Sequence, residues 1–152
     1  MKGGPVSQEL EKRIIRALNE DARKSLREIA REVDSSVTAV SRKITQLEKS
    51  GAIEGYIPIV NGEYFGYSLM AIIALRISQG KLLETQERIS RDPRVAAVYD
   101  VTGEWDSLVI CRFQGRDDLN QFIKKLLAGR YVDRTVTHLV LNVVKEEKRV
   151  II

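Results

Sequence analysis

The chain has 152 residues, a hydrophobic fraction of 43% and a formal net charge of +4. This length fits one medium domain or two small ones, and the apolar content is enough for packed cores, which excludes a disordered chain. The single cysteine, Cys111, excludes an internal disulfide and a cysteine metal cluster. The N-terminal residues lack the apolar core of a signal peptide, and the longest apolar run, residues 69–75, is too short to span a bilayer. We therefore expect a cytoplasmic protein whose mildly basic charge permits an anionic partner.

Three short helices are predicted in the first 50 residues. The first runs from a cap at Ser7 to about residue 19. The second opens with Ser25-Leu26-Arg27-Glu28, a capping box in which the serine hydroxyl and the glutamate carboxylate bond each other's backbone N–H groups. The third covers residues 36–51, with a serine at its start and a glycine at its end. Because only a very short turn separates the second and third helices, they should cross steeply, as in a helix-turn-helix.

The third helix has one apolar side and one polar side. Val37, Val40, Ile44 and Leu47 recur at helical spacing and form the apolar stripe. The opposite side carries hydroxyls and cations without a carboxylate, a chemistry that suits phosphates and base edges. An ordinary amphipathic surface helix would show the same stripe, but the short turn in front of this one favours a DNA recognition helix.

The expected DNA contacts fall into two groups. Arg42 is the strongest candidate, because its planar guanidinium matches a guanine edge or a phosphate in two hydrogen bonds. The hydroxyl residues should contact bases or phosphates, and the other cations should contact phosphates; the alternative for each is that it only keeps the helix hydrated. The complete set is Arg27, Ser36, Thr38, Ser41, Arg42, Lys43, Thr45 and Lys49.

The second half of the chain predicts the order βαββαβ. Strands are expected at residues 69–77, 95–101, 108–113 and 134–144, with helices at 81–91 and from about 117 to 128. This order is the ferredoxin-like arrangement, so the fold class is α+β: an N-terminal three-helix helix-turn-helix domain plus a C-terminal ferredoxin-like βαββαβ domain. The expected boundaries are 1–50 for the first domain, 51–62 for a hinge strand or linker, and 63–152 for the second domain.

The predicted strands have apolar residues on both faces. In residues 95–99, apolar side chains occupy both the odd-numbered and the even-numbered positions, which point to opposite faces of a strand. The stretch from Val136 to Val144 also has apolar residues in both sets of positions. A sheet with one face in water should instead alternate apolar and polar residues. Since the helices cover one face, we expect a second copy of the domain to cover the other, which makes the protein a homodimer.

Four motifs together resemble the Lrp/AsnC family, the feast/famine transcription regulators of bacteria and archaea. They are RKSLREIAREV, SVTAVSRKITQLEKSGAIEGY, VYDVTGEWDSLVICRF and TVTHLVL. The resemblance covers nearly the whole chain and implies a sequence-specific regulator of transcription. It also implies a C-terminal domain that dimerises, often binds an amino-acid effector, and assembles further, commonly to octamers. Asp34 and Ser35 depart from the Gly-Leu pair that is usual before the recognition helix, although Asp34 can still adopt turn geometry.

The resemblance places an effector site at the loop between the second and third strands, where residues 103–106 keep the family's G-x-x-D pattern. Gly103 can take a positive φ and present backbone N–H groups to a carboxylate, and Asp106 or Asp133 can receive an amino group. The alternative is a tight turn in which Asp106 bonds its own backbone. The expected effector residues are Tyr99, Thr102, Gly103, Glu104, Trp105, Asp106, Asp133, Thr135 and Thr137.

Other classes of function fit the residues less well. An enzyme is disfavoured because no nucleophile–base pair is recognisable and the only histidine, His138, lies on an apolar strand. We therefore expect no catalytic residue, no metal site and no cofactor besides an amino-acid effector. The expected partners are double-stranded DNA, further copies of the chain and the effector, without a membrane. The remaining alternative is a DNA-compacting architectural protein with little operator preference.

Overall fold

In a computed structural model of the chain, the structure describes residues 5–78, 80–150 and 152, with side chains from residue 8 onward. It divides into two compact units. The helical unit runs through Ile59 and takes up Glu146–Ile152 again, and the sheet unit comprises Val60–Lys145. This division differs from the expected one at the C-terminus, because residues 146–152 group with the helices rather than with the sheet.

The helical unit contains α1 (Pro5–Glu20), α2 (Leu26–Glu32) and α3 (Val37–Lys49). The first helix begins at Pro5, a residue favoured in the first turn, so Ser7 lies inside the helix and the expected cap at Ser7 is wrong. None of these helices is long enough to be stable alone, and they share one small core. The buried members of that core are Ile14, Ala17, Ile29, Ala30, Val33 and Val40.

Local chemistry sets the ends of α2 and α3. The capping box is present: Glu28 N–H donates to the Ser25 hydroxyl at 3.3 Å, and Ser25 N–H donates to the Glu28 carboxylate at 2.7 Å. Asp34 follows α2 with φ +49°, a left-handed conformation that aspartate tolerates better than most residues. Ser36 caps α3 by accepting a hydrogen bond from Ala39 N–H at 3.1 Å. A connection of only four residues, 33–36, therefore joins the two helices.

The sheet unit follows the predicted order and confirms the ferredoxin-like fold. Its four strands are antiparallel and stand in the order β2-β3-β1-β4. The elements are β1 (Leu69–Ile77), α4 (Leu82–Ser90), β2 (Val95–Asp100), β3 (Ser107–Phe113), α5 (Arg116–Leu127) and β4 (Val132–Leu139).

Two expected strands differ from the observed ones. The last strand ends at Leu139 instead of residue 144: Val140 N–H still donates to Met70 O at 2.9 Å, but Leu141 and Val144 are more than 90% exposed. In the segment 51–62 no described residue lies in a strand, although a hinge strand was expected. A strand needs a neighbouring strand that pairs with its backbone N–H and C=O groups. Among the described residues, no strand pairs with the segment 51–62.

The two faces of the sheet differ. On one face, strand residues such as Ile73, Leu75 and Val109 pack against Ile89 of α4 and Phe122 of α5 in a fully buried core. The opposite face, called the outer face below, is apolar but only partly covered within one chain. By register and side-chain alternation it carries Ile72, Leu108, Ile110 and Val136.

Candidate DNA interface and effector site

The exposed side of α3 has the expected composition. Thr38, Arg42, Thr45 and Lys49 are all exposed and lie on the same side of the helix. Among the residues that the structure describes, neither Arg42 nor Lys49 forms a hydrogen bond or an ion pair with another side chain. Their charges are therefore available to a ligand from solution.

Carboxylates close to this surface are already engaged. Glu28 is held by the capping box, and Glu32 accepts from Lys24 Nζ at 2.7 Å. The hydrogen bonds that Lys24 donates to Glu20 and Glu32 raise its pKa to about 12. On α3 itself, Glu48 accepts from the Tyr56 hydroxyl at 3.0 Å. Of these three carboxylates, Glu32 is the one paired with a cation, so Lys24 reduces the repulsion that its charge would exert on a phosphate backbone.

The other expected DNA residues lie in different surroundings. Arg27 is exposed on α2, whereas Ser41 is half-buried and the Ser36 hydroxyl already accepts the helix-capping bond. Lys43 is also half-buried, and its Nζ lies 3.0 Å from a Glu11 carboxylate oxygen and 3.2 Å from the Gln46 amide oxygen. Since Lys43 faces α1, it does not share the surface of Arg42.

The loop between β2 and β3 has a defined geometry. Gly103 takes φ +114°, the left-handed region anticipated for it. The Asp106 carboxylate accepts a hydrogen bond from Ile77 N–H at 2.8 Å, and Asp106 N–H donates to Leu75 O at 2.9 Å. The aspartate therefore ties the loop to the end of β1 rather than to its own backbone, and one of its carboxylate oxygens serves that purpose.

Two arginines near this loop were missed by the sequence reasoning. Arg76 donates to the Glu104 carbonyl and lies 3.7 Å from an Asp106 carboxylate oxygen. Arg134 stacks over the Trp105 ring at 5.2 Å and lies 4.0 Å from a Glu104 carboxylate oxygen. A signal existed for Arg76, because it is the only charged residue in the apolar strand Leu69–Ile77. The loop thus combines an indole, two carboxylates and two guanidinium groups.

The remaining effector residues are not all brought together. Tyr99 is exposed on β2 at one edge of the sheet, while Thr135 and Thr137 lie on β4 at the other edge, and the strand order places them about 14 Å apart. Register places Tyr99 on the outer face, whereas Thr135 and Thr137 lie on the face that α4 and α5 cover. Asp133 accepts from the Ser78 hydroxyl at 2.7 Å. One small ligand cannot contact both edges of the same chain.

The described part of the chain contains neither a candidate metal site nor a candidate membrane span. No group of three or more histidine, cysteine, aspartate and glutamate residues is placed to hold a metal ion. None of the described helices has the length and apolar character needed to cross a membrane. Cys111 is fully buried in the sheet core, and this burial raises the pKa of its thiol to about 12.

Family models match both halves of the chain. A model of the Lrp/AsnC ligand binding domain matches residues 70–150, and a model of a winged helix-turn-helix DNA-binding domain matches residues 8–54. The first covers the sheet unit from Met70 onward, including the loop of residues 102–106, and the second covers all of α2 and α3. Each half of the expected architecture therefore has an independent match.

Curated relatives match along nearly their whole length. An uncharacterized HTH-type transcriptional regulator of Pyrococcus abyssi is 45% identical over 141 residues, which cover 93% of this chain and 96% of the relative. The HTH-type transcriptional regulator FL11 of Pyrococcus furiosus is 31% identical over 138 residues, with 91% of each chain covered. These relatives share both units of the chain rather than one of them.

Solved structures agree with this assignment. A transcriptional regulator of Neisseria meningitidis in complex with L-Met superimposes with a TM-score of 0.85 at 25% identity, covering 91% of this chain and 92% of that one. The feast or famine regulatory protein of Mycobacterium tuberculosis, complexed with L-methionine, gives 0.84 at 25% identity, with 94% and 97% covered. The chain is therefore a DNA-binding transcription regulator of the Lrp/AsnC family, and not an enzyme.

Proposed function

We propose that the exposed side of α3 reads a specific operator sequence in the major groove. The observation that carries the proposal is the exposed Arg42 guanidinium, which has no ion-pair partner among the described side chains and stands on a helix joined to α2 by a four-residue turn. A bidentate contact of this kind to guanine discriminates between bases by about 1–3 kcal/mol. Thr38 and Thr45 flank Arg42, and Arg27 and Lys49 supply cations for phosphates. Lys43 is left out because it pairs with Glu11.

One helix makes few base contacts, so tight binding requires more than one copy. We propose a two-fold dimer in which the outer face of one sheet packs on that of a second copy. Its half-buried apolar residues, including Leu108 and Ile110, support this arrangement. Two recognition helices would then meet half-sites about 34 Å apart, or a multiple of that distance. Assembly of dimers to octamers, as the family resemblance implies, would bring more half-sites together.

We also propose that an amino acid or a related small molecule binds at the loop of residues 102–106 and changes DNA affinity or assembly. An amino acid carries an ammonium and a carboxylate, and this loop offers groups for both. The Glu104 carboxylate, at the exposed surface, suits the ammonium, while Arg134 and the backbone beside Gly103 suit the carboxylate. Trp105 provides an apolar surface for a side chain.

Residues at the β4 edge of the sheet can join Tyr99 in one site only if they come from another copy of the chain. Asp133, Thr135 and Thr137 lie far from Tyr99 within one chain. A neighbouring dimer could present its own β4 edge, so the full set of expected residues requires an assembly. The two solved relatives complexed with methionine make that amino acid the first compound to test.

Selection from a fragmented genomic library tests the DNA part of the proposal. The purified protein should enrich fragments that share a motif of two half-sites, and this preference should survive at moderate salt. A flat sequence profile whose binding depends only on salt would instead indicate a DNA-compacting protein. Repeating the selection with added amino acids measures the effector response in the same experiment.

Calorimetry tests the effector part separately. Titration with the common amino acids, beginning with L-methionine, should release heat with at least one of them in the wild-type protein. Trp105→Ala should weaken that binding, whereas Leu83→Ala, at an exposed residue of α4, should not. Absence of heat with every amino acid would show that the loop is only a tight turn between strands.

A further inference from the structure

The C-terminal segment of residues 146–152 contacts the first helix of the DNA-binding unit. Arg16 Nε donates to Ile152 O at 2.8 Å, and the Asn19 side-chain amide donates to Val150 O at 3.1 Å. In the other direction, Arg149 Nη1 donates to Asn19 O at 3.4 Å. We infer that this segment, called the C-terminal clamp below, holds the end of α1 and forms a second tether between the sheet unit and the DNA-binding unit.

The C-terminal end of α1 lacks the basic residue that usually stabilises the last turn of a helix. The last four carbonyl groups of a helix have no partner within the helix, and the negative end of the helix dipole favours a cation nearby. The last turn of α1 contains no basic residue and finishes with Glu20, an acid at the unfavourable end. Lys24 offsets the Glu20 charge at 2.8 Å, and Arg149 supplies a donor for the Asn19 carbonyl. The clamp therefore provides a side-chain donor for a carbonyl at the end of α1.

The Arg149 side chain is held in position before it meets α1. Its guanidinium forms two hydrogen bonds to the Glu147 carboxylate, at 2.8 and 2.7 Å, and its backbone N–H donates to the same carboxylate at 3.0 Å. A bidentate pair of this kind fixes the plane of the guanidinium. The remaining nitrogen, Nη1, is the one that reaches Asn19 O. Less side-chain entropy is then lost when the clamp closes on the helix.

The route of the chain gives the clamp a role in coupling. The chain enters the sheet unit at Val60 and leaves it at Lys145, six residues after the end of β4. In the helical unit, Ile14 and Ala17 of α1 share a core with Val40 of the recognition helix. A change at β4 is therefore linked through the clamp to the helix on which α3 packs. This coupling role rests on the proposed effector response, whereas the clamp itself does not.

Hydrogen exchange of the full-length protein tests the clamp. Arg149→Ala should speed exchange of the amides in the last turn of α1 by about three- to tenfold, the effect of losing one hydrogen bond, without changing α4 or α5. The matched control is Lys148→Ala, since this neighbouring cation has no hydrogen bond or ion pair with any described residue. Arg16→Ala, with Lys12→Ala as its control on α1, should repeat the result. Unchanged exchange in both Arg149→Ala and Arg16→Ala would overturn the clamp.

The coupling is tested by comparing operator affinity with and without the effector. Arg149→Ala should bind the effector with unchanged heat, but the change in operator affinity that the effector causes should be about two- to tenfold smaller than in the wild type. If the effector changes operator affinity as much in Arg149→Ala as in the wild type, the proposed coupling through the clamp is wrong. If the wild-type protein itself shows no response, the proposed effector function fails, while the hydrogen-exchange result still decides the clamp.

Discussion

At the scale of single residues, the direction of each side chain on α3 decides what its charge can do. Arg42 and Lys43 are adjacent in sequence, yet about 100° of helical rotation separates them. Arg42 points to solvent, and Lys43 reaches back to Glu11 on α1. Composition alone assigned both cations to DNA. Only the position of α1, which sequence periodicity does not supply, distinguishes a structural cation from an available one.

Alanine substitution of Lys43 and of Lys49 should separate the structural role from the DNA-binding role. Lys43→Ala should lower the free energy of unfolding by about 1 kcal/mol, because it breaks a half-buried ion pair, and should leave the salt dependence of DNA binding unchanged. Lys49→Ala should leave stability unchanged and reduce the slope of log affinity against log salt by about 1. Chemical denaturation and salt titrations of DNA binding measure the two effects. The reverse pattern would place Lys43 on the DNA surface.

At the scale of elements, the sequence predicted those features that local chemistry determines. The capping box at Ser25, the bounds of β1 and the βαββαβ order all follow from spacing and periodicity, and the structure has them. The errors concern partners that local patterns do not encode. Residues 140–144 are apolar apart from Asn142, but no described strand pairs with most of their length, and residues 146–152 are held by polar contacts to a helix far away in the sequence.

A charged cluster links the turn between α4 and β2 to α5 and gives stability a definite pH dependence. Asp92, only 8% exposed, accepts hydrogen bonds from Arg94 at 2.8 Å and from Lys125 at 3.1 Å, and Arg94 also bonds Asp118 on α5 at 2.9 Å. The hydrogen bonds from Arg94 hold the pKa of Asp92 well below its usual range. A carboxylate with a lowered folded pKa stabilises above its unfolded pKa of about 3.9, and that stability is lost as the pH falls further.

Asp92→Asn should therefore lower the free energy of unfolding at neutral pH by about 2 kcal/mol, because the largely buried Arg94 loses its closest charged acceptor and keeps only Asp118. Below about pH 4 the difference from the wild type should shrink. Thermal unfolding between pH 2 and 7 measures this, with Asp117→Asn, an exposed carboxylate on α5, as the control. A constant difference across the whole pH range would contradict the account.

At the scale of the whole molecule, the outer face of the sheet is the main feature that one chain leaves incomplete. Leu108 and Ile110 are half-buried there, beside the fully buried Ala74. Apolar strand residues at both parities predicted a second covering layer, and the helices of the same chain supply only the first. The dimer proposal follows from this difference between the two faces.

Ile110→Asp should convert the dimer to a monomer, because it places a charge in the centre of the outer face, where no partner neutralises it. Operator affinity should fall with it, since the two recognition helices are no longer linked. Leu83→Asp is the matched control, because Leu83 is 71% exposed on α4 and lies away from that face. Sedimentation velocity at micromolar concentration checks the prediction. A monomeric wild-type protein would contradict it.

If the exposed side of α3 reads operator DNA, Arg42→Ala should lose operator affinity. Affinities of this variant and the wild type are measured for a selected operator and for random DNA at the same salt concentration, with Arg91→Ala, an exposed arginine of the sheet unit, as the control. Arg42→Ala should lose roughly 10- to 100-fold in affinity for the operator and much less for random DNA, and its melting temperature should be unchanged. Unchanged operator affinity in Arg42→Ala would contradict this role of α3.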